Sequence, residues 1–107
     1  MNLGALIQAL KAHDPATVVP IGFARPCSYR GSYEDVAFEV ERNTTVGAML
    51  EAARSALGAT FENYNGGEHT MNEHTYCWLV ESSGNVGETI SPVLLECIVP
   101  LKEDIYG

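Results

Sequence analysis

Apolar residues open the chain at helical intervals: Leu3, Leu6, Ile7 and Leu10 fall at i, i+3, i+4 and i+7, one stripe of an amphipathic helix. Asp14-Pro15 ends that stripe, because proline cannot continue a helix and restricts the residue before it. The β-branched run Thr17–Phe23 predicts a strand, which Pro20 and Gly22 confine to a sheet edge or a bulge. Arg25–Gly31 reads as an irregular loop. From Tyr33 to Glu41 the pattern alternates, with Val36, Phe38 and Val40 on one side and Ala37, Glu39 and Glu41 on the other, as in a half-buried strand.

Asn43-Thr44-Thr45 then offers helix caps ahead of Val46, Met49, Leu50, Ala53 and Leu57, a second helical stripe with Gly58 as its stop. Ala59–Tyr64 is a short strand candidate followed by the turn signal Asn65-Gly66-Gly67. Thr75–Glu81 is a further strand and Ser82–Asn85 a loop. Val93–Leu101, apolar on both faces, predicts a last, central strand. The order α-β-β-α-β-β-β predicts a single α+β domain over residues 1–107. Its expected form is an antiparallel or mixed sheet of about four to five strands with two helices packed on one face.

Composition narrows the function. With 46% hydrophobic and 19% charged residues in 107, the chain is expected to fold rather than remain disordered. Six Lys+Arg against 14 Asp+Glu leave a net charge of −8, and no basic residue falls between Arg54 and Lys102. Nucleic-acid polymers and anionic membranes are bound through clustered Lys and Arg, so neither is an expected partner. No apolar run reaches the roughly 20 residues that span a bilayer. The N-terminal segment lacks the basic region of a secretory signal, so the expected location is cytoplasmic. Cys27, Cys77 and Cys97 form no C-x-x-C pair for zinc or redox chemistry, which predicts reduced thiols. No cofactor is expected, and a metal held by Glu68, His69, Glu73 and His74 is the lesser alternative to solvated histidines.

Two segments stand out chemically. In Ser28-Tyr29-Arg30-Gly31-Ser32-Tyr33, Arg30 offers a fork of donors for phosphate or carboxylate, and Gly31 permits close backbone approach. Ser28 adds a hydroxyl, and Tyr29 and Tyr33 bring flat faces for a ring. The plainer alternative is a loop whose Arg30 pairs with Glu34 or Asp35. In Tyr64-Asn65-Gly66-Gly67-Glu68-His69-Thr70-Met71, Gly66 and Gly67 either expose amides as an anion-binding nest or simply turn a hairpin. Tyr64, Glu68 and Thr70 complete that candidate site. His69 and His74 miss the H-E-x-x-H spacing, and strand geometry sends their rings to opposite faces unless a turn at Asn72 intervenes. Cys27 lies near Arg25 and Arg30, which favour a thiolate, but no catalytic spacing accompanies it. Trp78 reads as core, or as the lining of a pocket.

The string Ser28–Phe38, the Thr45-Val46-x-x-Met49-Leu50 pattern and Phe61-x-x-Tyr64-x-Gly66-Gly67-Glu68-x-Thr70-Met71 together resemble a group of small, mostly uncharacterised proteins of tailed bacteriophages. The similarity spans roughly Arg25 to Val80. It implies an accessory protein that blunts host immunity. One form is a sponge that sequesters a nucleotide messenger of the Thoeris or cyclic-oligonucleotide type, and another is an acidic inhibitor of a nuclease or DNA-binding defence protein. The expectation is a non-catalytic module binding a small anionic nucleotide. Arg30 clamps phosphate, Tyr29, Tyr33 or Tyr64 stacks on the base, and a second copy completes the pocket as a dimer or higher homo-oligomer. An enzyme that degrades such a messenger through Glu68, His69 and His74 is the third reading.

Overall fold

The computed structural model describes residues 1–29, 32–62, 67–80 and 87–91, together with Leu94, Leu95 and Ile98; for Ser32, Tyr33 and Gly87 it describes the backbone alone. Helix α1 (Leu3–Lys11) buries the stripe Leu3, Leu6, Ile7 and Leu10. Its N-cap, Asn2, accepts a hydrogen bond from the Ala5 amide at 2.9 Å, satisfying one of the donors a helix start leaves open. Strands β1 (Val18–Tyr29) and β2 (Ser32–Thr45) form an antiparallel pair. Helix α2 (Val46–Ala56) begins directly at the end of β2, where the Thr45 hydroxyl accepts from the Ala48 amide at 3.1 Å. It stops at Leu57, and Gly58 follows at φ +84°, the left-handed conformation glycine adopts without steric cost.

Beyond α2 lie β3 (Thr60–Glu62), β4 (Glu68–Thr70), β5 (Cys77–Val80) and β6 (Gly87–Thr89). The main sheet has the order β1-β2-β5-β6, and β3 pairs separately with β4. Strand β5 runs parallel to β2, while β1 and β6 run antiparallel to their neighbours. The sheet is therefore mixed, within the expected α+β class. Both helices cover one of its faces: Leu3, Leu6, Leu10, Val46, Met49 and Ala53 share a core with Val19, Phe23, Val36 and Phe38. Ala37, pointing the other way as strand alternation requires, joins Tyr29 and Val80 in a smaller cluster on the opposite face.

Several elements differ from the sequence pattern, among them β4 and β6, which are strands where none is expected. Arg25–Tyr29 is strand, not loop: β1 occupies the sheet edge, where prolines are tolerated. One extra residue enters the β1–β2 register between Ala24 and Pro26, with Arg25 at φ 50°. The bulged Arg25 is held across the hairpin by Glu39 and Glu41, each at 2.9 Å. In the predicted last strand, the described residues Leu94, Leu95 and Ile98 are helical, and the neighbour of β5 is β6 instead. Ser91 carries the reason: its hydroxyl accepts from the Leu94 amide at 3.1 Å and its carbonyl from the Leu95 amide at 2.9 Å, an N-cap that outweighs the apolar run.

Candidate functional site

Where the parallel pairing of β2 with β5 begins, at Val36 opposite Cys77, Glu34 and Asp35 come next to Tyr76. The Val36 amide donates to the Tyr76 carbonyl at 3.0 Å, fixing this junction. His69 arrives from β4, and Asn72, His74 and Thr75 from the connection between β4 and β5. Together these seven described residues line an open cleft of about 230 Å³.

The connection is a tight turn set by its own side chains. The Asn72 carbonyl accepts from the Thr75 amide at 3.0 Å, and its side-chain oxygen accepts from the His74 amide at 2.7 Å. The Thr75 hydroxyl returns a contact by accepting from the Asn72 amide at 2.8 Å. Asn and Thr side chains that bond nearby amides specify such turns. Helix α1 anchors the same turn, because the Leu3 and Gly4 amides donate to the Thr75 and Glu73 carbonyls at 2.7 and 2.9 Å. The bend at Asn72 thus brings His69 and His74 to one cleft despite their spacing.

Asp35 belongs to a second arrangement as well. Its Oδ2 accepts from the Trp78 indole N–H at 2.9 Å. The indole lies flat against the Tyr29 ring, with centroids 4.2 Å apart and planes within 9°. Tyr29 is buried, so the ring expected to stack on a ligand stacks on Trp78. Trp78 is half-buried rather than central core.

The remaining sequence candidates are distributed unevenly. Arg30, Gly31, Tyr64 and Gly66 lie outside the described residues, and of Tyr33 only the backbone on β2 is described. Ser28 sits half-buried on β1, opposite Val36. Gly67 is exposed just before β4. Glu68 and Thr70 are exposed on β4, where Glu68 faces Glu62 across the pair and the Thr70 hydroxyl meets that of Thr60 at 2.7 Å. Neither is among the described lining residues of the cleft, since strand alternation turns them away from His69. The two candidate segments therefore approach one cleft through Glu34 and Asp35, which follow the first, and His69, which belongs to the second.

Glu34, Asp35, Tyr76, Asn72 and Thr75 escaped the sequence reading as site residues. The signal for the last two was the Asn72-x-x-Thr75 spacing, a turn with matched side-chain acceptors. Cys77, one residue beyond Tyr76, is fully buried, and that burial pushes its thiol up to about 12, so it stays protonated. Among the described residues no group of three or more His, Cys, Asp or Glu is placed to hold a metal ion. No helix among them is long and apolar enough to cross a membrane. No protein family, curated protein or solved structure matches this chain.

Proposed function

We propose that this chain is a phage-encoded, non-catalytic binding protein that sequesters a small nucleotide-derived signalling molecule inside the host cell. One observation carries the reading: Glu34 and Asp35, which follow the Ser28–Tyr33 segment, and His69, within Tyr64–Met71, line one cleft in which hydrogen bonds of the protein itself hold the side chains of Asn72, Thr75 and Asp35. Side chains held in advance spare a ligand the ordering cost that weakens binding to loose loops. The messenger class comes from the resemblance to phage accessory proteins. An open cleft of this size leaves a ligand partly uncovered, and a second copy of the chain completes the enclosure.

The test is thermal unfolding in the presence of NAD derivatives and cyclic nucleotides. A ligand at about 100 times its dissociation constant adds roughly 2.7 kcal/mol to stability. Recovery of that ligand unchanged after heat release separates sequestration from degradation through His69 and His74. A flat thermal response across the whole panel overturns the proposal.

A second reading draws on the β3–β4 pair, where Glu62 and Glu68 face one another, both exposed. Like charges directly opposed weaken a strand pair, so their placement suits an acidic surface offered to a basic protein, such as a nuclease. Salt-sensitive binding to such a partner, reduced in Glu62→Gln and Glu68→Gln, is its signature.

A further inference from the structure

The cleft has a chemical bias that composition alone does not reveal. Its described lining residues include two carboxylates, Glu34 and Asp35, and neither Lys nor Arg. Ionised carboxylates accept hydrogen bonds and cannot donate them. A phosphate placed beside them meets like charge, whereas a hydroxyl meets an acceptor. The volume, about 230 Å³, lies below the roughly 300–1,000 Å³ of sites that enclose a whole drug-sized ligand. It suits one end of a nucleotide rather than all of it.

Asp35 is the acceptor with a defined aim. The indole N–H of Trp78 holds its Oδ2, and the stack on buried Tyr29 holds the indole. A carboxylate fixed by a group outside the cleft loses little rotational freedom when a guest arrives.

Resting on the nucleotide reading above, we propose that the cleft takes the sugar end of the ligand, with the Asp35 carboxylate accepting from the ribose 2′-hydroxyl. Trp78 acts as the positioning residue that orients Asp35. The phosphates face away from Glu34 and Asp35. Acidic side chains read this hydroxyl in dinucleotide-binding folds for the same chemical reason, although the described residues form no such fold.

The experiment measures dissociation constants by calorimetry for ADP-ribose and 3′,5′-cyclic AMP, each against its 2′-deoxy counterpart. Emission from Trp78, the single tryptophan of the chain, provides a second readout. Whichever ribose form binds is expected to do so about tenfold more tightly than its deoxy form, the order of effect of one hydrogen bond to a charged group. Asp35→Asn keeps an oxygen for the indole and is expected to bring that ratio close to one. Trp78→Phe keeps an aromatic ring on Tyr29, removes the N–H, and is expected to reduce the ratio while the chain stays folded. If Trp78→Phe fails to fold, the ratio in the unmutated chain and in Asp35→Asn still decides the matter. Equal binding of ribose and deoxy forms, or a ratio unchanged in Asp35→Asn, overturns sugar recognition and leaves the nucleotide reading standing. Absence of binding by both nucleotide pairs and by the wider panel removes both.

Discussion

The two faces of the main sheet are built on different principles. Beneath the helices, Phe23 and Phe38 meet at 4.8 Å between ring centroids among side chains that are completely buried, and α2 lies so close to β1 that a Cβ on Gly22 would come within 2.6 Å of the Thr44 methyl and 2.8 Å of the Met49 sulfur. Shape there is set by close packing, which tolerates neither voids nor excess volume. Where the pairing of β2 with β5 begins, shape is set by directional hydrogen bonds: the Asn72–Thr75 turn and the Trp78–Asp35 contact. The first region supplies stability. The second holds polar groups at fixed positions beside solvent, as a binding site requires.

The contrast is broken most severely by emptying the packed side. Phe38→Ala removes a fully buried ring from the shared core and is expected to cost about 3–5 kcal/mol, read as a large fall in thermal midpoint. The opposite error, overfilling, is tested by Gly22→Ala. Its new methyl must displace both the Thr44 methyl and the Met49 sulfur, and the expected loss is about 1–3 kcal/mol in denaturant unfolding.

The region just beneath the cleft has a pH signature. Burial raises the Cys77 thiol from an ordinary value of 9.0 to about 12. Between those values the unfolded chain gives up this proton and the folded chain keeps it. Cys77 therefore contributes its full stabilisation below pH 9, and that contribution falls by about 1.4 kcal/mol per pH unit as pH rises toward 12. Chemical denaturation at pH 7, 9 and 10 is expected to show this additional loss in the native sequence and not in Cys77→Ala. Equal slopes for the two proteins would contradict the buried placement of the thiol.

The smallest effect sharpens the comparison on the polar side. Glu62→Lys replaces a facing like-charge pair with an attractive one opposite Glu68. Stability is expected to rise by about 0.2–1 kcal/mol, and the gain should shrink at high salt because both positions are exposed.

Much of this fold was legible in periodicity. The stripe of α1, the Val46, Met49, Leu50 and Ala53 positions of α2, the Thr45 cap, the Gly58 stop and the opposed faces of Val36 and Phe38 against Ala37 in β2 correspond to what the structure shows. Leu57, expected on the α2 stripe, is instead exposed at the C-cap, and Ala56 is buried in its place. The edge position that Pro20 and Gly22 imply for Thr17–Phe23 is the one β1 takes, and β1 runs on through Pro26 to Tyr29, where a loop was expected, because an edge strand tolerates proline. The expected last strand differs for another reason, since the Ser91 cap sets a helical start in a run that resembles a buried strand. The candidate site was legible only in part. His69, His74 and the bend at Asn72 were visible as residues, but Tyr29 turned out to be stacked on Trp78, and the lining role of Tyr76 left no trace in spacing.

The amino-acid order by itself determined the helices, most strand positions and the apolar faces, because each depends on side chains a few residues apart. Tertiary structure alone decided that β5 lies parallel to β2 and that Trp78 reaches Asp35, 43 positions earlier in the chain. It also decided that one cleft joins β2, β4 and the turn before β5. Those arrangements arise from long-range pairing, in which the entropy of closing each loop is weighed against contacts that no local repeat encodes.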